Sequence, residues 1–463
     1  MVRILGGKWD RERWWHKLIQ VCQRWRSLIL ASSSYLSLCL VCTHGTPIVD
    51  MLALSPPLPL IIHYTDSDRD ITAAEEEGII FALKQHRRVH RIRFFMPIPN
   101  LERLIKAIDK EYPVLEYLIM ISSSEVVSTA WMLPTTFQAT HLRCLVLRGF
   151  FIIPAGLVTA KGLVTLYLIT DDPTAYCPPY TLLCISFMRQ LETLRINFKF
   201  PLSNHDLETL LQLEEVVFTS TMTHVTYPNL RWFEFQGASA YLEAFVQWIN
   251  APCLEKLNIR LFKQPLFSFP HLLQFMNTAK NLSFDSAKFE FSNNRASVGM
   301  NLREEEVHAL SMAVYCLELS SQVTSLAQIF DSLSQKMFTV EHLTFEHELH
   351  DEDHDEVEVD RTEWHTLLRS FGNVKTLCVD DGLVDELSRC LRLNDGEHPL
   401  DLLPELRELS YTGTDDVGGT FTSILDARKN AGRPVTLNVP SRSSNPDFSE
   451  SSLRDDREQR RIE

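Results

Sequence analysis

Apolar positions recur along this chain in a fixed phrase, Leu-x-x-Leu-x-Φ, with Φ apolar. The clearest copy is Gln190-Leu-Glu-Thr-Leu-Arg-Ile-Asn-Phe198, built on Leu191, Leu194 and Ile196. Others are Leu115/Leu118/Met120, Leu142/Leu145/Leu147, Leu163/Leu166/Leu168, Leu230/Phe233/Phe235 and Leu254/Leu257/Ile259. Further on stand Val340/Leu343/Phe345, Val374/Leu377/Val379 and Leu406/Leu409/Tyr411, and Val89/Ile92/Phe94 fits as a start. The last two apolar positions lie two apart, so they share one face of a short strand. The first closes the turn into that strand. Pro113, Pro228, Pro252 and Pro404 each precede that first position by two. Proline disfavours helix at the residue before it, so these prolines are expected to end a preceding helix.

Between the phrases the period changes to that of helices. Thr72-x-x-Glu75 is a capping box that opens a helix over 71–86. Tyr241, Phe245, Trp248 and Ile249 form one apolar stripe, and Val323, Leu326, Ile329, Phe330 and Leu333 a second. Trp364, Leu367, Leu368 and Phe371 form a third, with Gly372 placed to stop it. A further helix is expected over 11–31, where Trp14, Leu18, Val21, Cys22, Trp25, Leu28 and Ile29 recur among Arg and Lys. Most copies begin about 21 to 39 residues apart, near the leucine-rich-repeat period but more ragged. The gap from Leu282 to Val340 leaves room for a hidden repeat around 314–319. These readings predict short, adjacent, parallel strands from about residue 85 to 415. The turn position that ordinarily carries Asn or Cys holds Phe150, Asp171, Lys199, Ala238, Phe262, Gly382 or Thr414, so the repeats should be irregular.

Charge narrows the function classes. A net charge of -15 and a pI near 5.6 argue against a partner bound by phosphate neutralisation, so no nucleic acid is expected. Ten acidic residues and one basic one crowd into Glu346 to Glu363. That stretch is expected to be a flexible insertion, with order resuming at Trp364. The ten cysteines are scattered without a framework, which suggests reduced thiols and a cytoplasmic or nuclear home. Cys39 and Cys42 form an isolated C-x-x-C in an apolar run and read as structural. The run over 28–42 is too short to span a bilayer and is broken by serines, so no membrane is expected.

Catalytic signatures are scarce. His347-Glu-Leu-His350 has the wrong spacing for a zinc helix, which needs two His four apart. With His354 it reads as part of the solvated acidic stretch, so neither metal nor cofactor is expected. The chain has no Walker loop, no G-x-G-x-x-G and no G-x-S-x-G. The expectation is a non-enzyme.

Val21-Cys-Gln-Arg-Trp-Arg-Ser-Leu-Ile29, followed by Ser32-Ser-Ser-Tyr-Leu36, resembles the last helix and exit of an F-box. The run through Leu40 to Pro47 and Pro56 to Leu60, with the later Pro228-Asn-Leu-Arg-Trp-Phe233 and Pro404-Glu-Leu-Arg-Glu-Leu409, is similar to fungal, basidiomycete-type F-box proteins with leucine-rich repeats. The Leu-Pro-x-Glu opening of an F-box does not stand before this helix, so the segment resembles a C-terminal remnant. The fold class expected is α/β: an irregular leucine-rich-repeat solenoid with a parallel sheet, preceded by that remnant helix. The boundaries expected are 1–45 for the F-box-like segment, 46–437 for the solenoid and 438–463 for a disordered tail.

The resemblance implies a protein-interaction scaffold, the substrate-recognition subunit of a cullin-type ubiquitin ligase. It would hold a protein target on its repeats and a Skp-type adaptor on its helix. The alternative is a stand-alone repeat protein that has lost the adaptor. In the first case Trp14, Leu18, Val21, Cys22, Trp25 and Leu28 bind the adaptor; in the second they cap the first repeats. Strand alternation places Tyr167, Arg195, Glu234, Asn258, Thr344 and Ser410, with Cys378, on the concave face as partner-binding candidates exposed to solvent.

Overall fold

The computed structural model describes residues 21–31, 38–41, 48–54, 59–65, 70–123, 131–152, 157, 159–170, 184–198, 224–264, 266–302, 308–348, 359–392, 398–412 and 421–438. In chain order the elements are α1 (Gln23–Ala31), β1 (Leu38–Val41), α2 (Ile48–Leu54), β2 (Leu60–Tyr64), α3 (Ala73–Leu83), β3 (Val89–Met96), α4 (Ile98–Ile105), β4 (Tyr117–Ser122), β5 (Trp131–Met132), β6 (Cys144–Arg148), β7 (Phe150–Ile152), β8 (Thr165–Thr170) and β9 (Thr193–Phe198). They continue with β10 (Val225–Thr226), β11 (Trp232–Gly237), α5 (Ser239–Val246), β12 (Ile249–Asn250), β13 (Lys256–Phe262), α6 (Pro270–Thr278), β14 (Ser286–Ser292), β15 (Arg295–Asn301), β16 (Leu310–Tyr315) and α7 (Leu319–Met337). The last are β17 (His342–Glu348), α8 (Arg361–Arg369), β18 (Thr376–Asp380), α9 (Val384–Leu391), β19 (Glu408–Thr412), α10 (Thr422–Asn430) and β20 (Thr436–Asn438).

Sixteen of these strands form one open, mostly parallel sheet in a mixed α/β molecule. Its order is β1-β2-β3-β4-β6-β8-β9-β11-β13-β16-β15-β14-β17-β18-β19-β20. The second apolar position of each phrase falls in register with the next. Ile62, Ile92, Leu118, Leu145, Leu166, Leu194, Phe233, Leu257 and Leu310 stand side by side. The ladder continues through Met300, Ala287, Leu343, Leu377 and Leu409, and all of these residues are buried. Because side chains alternate along a strand, the third position makes a second ladder on the same face.

The helices cover that face. Phe233 stacks on Phe245 of α5 at 5.8 Å, Phe289 meets Phe330 of α7 at 5.4 Å, and Phe345 meets Trp364 of α8 at 5.7 Å. The capping box forms as expected: Thr72 Oγ1 accepts from Glu75 N–H, and Glu75 Oε2 accepts from Thr72 N–H. Helices also cap one another, since Glu243 of α5 accepts from His271 N–H (2.8 Å) and Leu272 N–H (2.9 Å) at the start of α6.

The prolines act differently from the expectation. Leu115, Leu230, Leu254 and Leu406 each donate their N–H to the carbonyl three residues back, on Tyr112, Tyr227, Ala251 and Leu403. Each proline therefore sits second in a β-turn, where its fixed φ fits. Copies without proline close the same turn, as in Leu142 to Ala139 and Leu191 to Met188.

Other boundaries also move. The sheet runs beyond 85–415, from β1 to β20. β1 lies inside the expected F-box-like segment, and β2 lacks the leading leucine that marked other copies. The stretch around 314–319 is divided between β16 and the start of α7. β14, β15 and β16 break the sequential order: β14–β15 is an antiparallel hairpin, and β16 returns beside β13. The acidic stretch is ordered at both ends. β17 carries Glu346, His347 and Glu348, Val359 is buried, and Asp360 caps α8 by accepting from Thr362 N–H. Residues 349–358, including His350 and His354, and the expected tail after Asn438 lie outside the described residues. α8 ends before Gly372, which does not take the left-handed conformation. No helix among the described residues is long and apolar enough to cross a membrane.

Candidate functional site

The face opposite the helices carries a third row. Parallel register aligns Ile119, Val146, Tyr167, Arg195, Glu234, Asn258 and Ser311 across β4 to β16. It continues through Gly299, Lys288, Thr344, Cys378, Ser410 and Asn438. All seven surface candidates from the sequence thus belong to one line across the sheet. Four of them, on β8, β9, β11 and β13, are consecutive. The other three lie beyond the β14–β15 hairpin.

The four consecutive residues and their neighbours on the same face form one polar and aromatic cluster. The Arg195 guanidinium lies 3.8 Å from the Trp232 ring centre and 5.4 Å from that of Tyr167. Its Nε is 3.4 Å from Glu234 Oε2. Asn197 Nδ2 donates to Glu234 Oε1 (3.3 Å) and to Tyr167 Oη (3.2 Å). Lys256 Nζ lies 5.8 Å from the Trp232 ring centre. Burial pushes the Tyr167 hydroxyl above its ordinary value, and the Glu234 carboxylate adds to this, against Arg195, Arg260 and the Asn197 hydrogen bond. Tyr167 therefore presents a neutral phenol.

These candidates are not solvent-exposed as expected. Glu234 is only 5% exposed and Arg195 is half-buried. In the middle of a wide sheet, neighbouring strands stand about 4.8 Å apart, so bulky side chains screen one another even on an uncovered face. Tyr167, Asn258, Thr344, Cys378 and Ser410 are likewise intermediate. Trp232, Asn197 and Lys256 were missed as candidates. Their signal was legible, since each lies two residues from a candidate on its own strand.

No protein-family model matches this chain, and no curated protein matches it.

At the hairpin strand β14 the row becomes ionic. Lys288 Nζ lies 3.0 Å from Glu290 and 2.8 Å from Glu346. Burial pulls its pKa down, but the two carboxylates together hold it above the ordinary lysine value. His342 Nδ1 is 2.7 Å from Thr376 Oγ1 on the same face. No cluster of three or more His, Cys, Asp or Glu suited to a metal occurs among the described residues. What the central cluster offers is recognition chemistry: a cation sandwiched by aromatic faces, beside a buried carboxylate.

The amino-terminal helix supplies a second surface. Val21, Trp25 and Leu28 are 64%, 45% and 60% exposed, and Cys22 is exposed too; Trp14 and Leu18 lie outside the described residues. The described part of this face is exposed to solvent. β1, from the same segment, pairs with β2 and takes the sheet edge.

Proposed function

We propose that this chain is a protein-interaction receptor built as an irregular leucine-rich-repeat solenoid. The sheet face opposite the described helices would hold a protein target, and its amino-terminal helix would engage a Skp-type adaptor of a cullin-type ubiquitin ligase. The observation that carries the reading is the row Tyr167–Arg195–Glu234–Asn258 flanked by Trp232. It concentrates aromatic and guanidinium groups, the residues that dominate protein interfaces, at the middle of a sheet face on which no helix among the described residues packs. The exposed Val21, Trp25 and Leu28 support the adaptor half, because an apolar helix face in water is stabilised by a partner that covers it. The role is binding rather than catalysis, in the cytoplasm or nucleus.

The test is co-purification of tagged wild-type chain, Trp232→Ala and Trp25→Ala from the native cells. Trp232→Ala should lose a specific target and keep the adaptor, and Trp25→Ala should do the reverse. Identical partners for all three chains would refute the two-surface reading.

A further inference from the structure

The sheet face that carries the Arg195 row is divided by charge. Two flanking rows cross the same face in parallel register. One aligns Thr193, Trp232 and Lys256, and the other aligns Asn197, Gln236, Arg260 and Ala313. The three rows bring Arg195, Lys256 and Arg260 together on β9 and β13, with Glu234 between them as the one acid in β8, β9, β11 and β13.

Arg195 is neutralised by Glu234 at 3.4 Å. Lys256 Nζ rests on the Trp232 ring, and Arg260 acts on Tyr167 only through its charge. Neither Lys256 nor Arg260 has a carboxylate or a hydrogen-bond partner among the described residues. Their nitrogen atoms are open to solvent, and both side chains are partly exposed. Three cations against one carboxylate leave this half of the face an accessible excess of two positive charges. Arg91, Arg93 and Arg148 stand further along on β3 and β6, but other groups engage them and they add nothing to this excess.

Past β16 and β15 the sign reverses. Glu290 of β14 and Glu346 of β17 are aligned, and Lys288 lies between their carboxylates. Glu408 of β19 accepts from Asn438 Nδ2 and has no ion pair among the described residues. All three acids are partly exposed. Even without Asp380 on the same face of β18, three carboxylates against one ammonium leave an excess of two negative charges. Between the halves the rows hold Ser311, Ala313, Gly299 and Ser297, with the His308 ring over Gly299. Arg260 and Glu346 are four strand spacings apart, about 19 Å, which about six residues of extended chain would span.

Resting on the receptor reading, we propose that this face takes an extended segment of its protein target that carries separate blocks of opposite charge. An acidic block lies across Lys256, Arg260 and Trp232. A basic block, about six residues away, lies across Glu290, Glu346 and Glu408. The charges follow rows that cross the strands, so one segment laid along the rows meets both excesses. A uniformly acidic or uniformly basic segment is repelled over half of the face, which makes the division a device for specificity.

The test follows fluorescence anisotropy of two labelled synthetic peptides with purified full-length chain at low salt. One has a block of glutamates, a Gly/Ser spacer of about six residues and a block of lysines. The other has the same composition with Glu and Lys alternating. Wild type should bind the block peptide about tenfold tighter, and added sodium chloride should erase the difference. Lys256→Glu with Arg260→Glu should lose the preference, and so should Glu346→Lys with Glu408→Lys. All four substitutions together should restore it, because the peptide then binds turned end for end; damage to the fold would not be repaired in this way. Lys256→Gln with Arg260→Gln, which should also lose the preference, takes the place of a reversed chain whose melting curve shows no fold. Equal affinity of wild type for the two peptides would overturn the proposal. So would an unchanged preference in either folded pair, or a folded quadruple variant without restored preference. The receptor reading fails separately. If the peptides bind alike while Trp232→Ala still loses a specific target on co-purification, the receptor stands and the charge division falls. If the block peptide is preferred while Trp232→Ala loses no target, the face binds such a segment and the receptor reading falls.

Discussion

Arg195 and Glu234 stand opposite each other on β9 and β11, and their ion pair is roofed by the Trp232 ring. Removing Arg195 leaves a nearly buried carboxylate with only Asn197 to satisfy it. Removing Glu234 leaves a cation that still has an aromatic face and some water. Arg195→Ala should therefore lower stability more than Glu234→Ala, and a double-mutant cycle should return a coupling of about 1–3 kcal/mol. Urea denaturation of the four proteins measures it. Strict additivity would mean the pair is incidental.

The turn prolines and turn leucines should separate cleanly. Pro228 fits the second place of its turn, and its replacement by alanine acts mainly through the unfolded chain, costing about 0.4–1 kcal/mol. Leu230→Ala opens a cavity in the core at about 2–5 kcal/mol. Comparable losses for the two would show that the proline does more than preset a turn.

Glu243 ties α5 to α6 through two backbone N–H groups. Glu243→Ala should cost about 1–2 kcal/mol and speed amide hydrogen exchange at His271 and Leu272. Exchange unchanged at these two amides would contradict the cap.

His347 gives the fold a pH dependence of defined sign. Burial pushes its pKa below the ordinary 6.5, and Asp380 only partly opposes this. The native state therefore favours the neutral ring more than the unfolded chain does. The stability this confers is present above 6.5 and is lost as pH falls through the lowered native value. His347→Gln should flatten the stability profile in that window. A wild-type profile level across it would disprove the assignment.

The strand ladders were legible because Leu-x-x-Leu-x-Φ encodes both the alternation of a strand and the turn that starts it. β1 and β2 were not, because no turn leucine precedes them. The β14–β16 excursion was also hidden: an antiparallel return strand has the same alternation as a parallel one, and strand order is set by tertiary packing. The row from Tyr167 to Ser410 was legible as alternation, and its residues were found by that rule. Their burial was not, because it depends on Trp232 and Tyr167 closing over Arg195 from other strands.

The proposed receptor would join a target-binding sheet face to a helix that engages an adaptor. Mixing purified full-length chain with a purified fungal Skp-type adaptor, and repeating this with Trp25→Ala, tests it most directly. Because Trp25 is 45% exposed, its removal should leave the melting temperature unchanged. A stable complex with the intact chain is expected, and Trp25→Ala should abolish it. No complex with the intact chain, or a lowered melting temperature in Trp25→Ala, would contradict it and leave a stand-alone repeat protein.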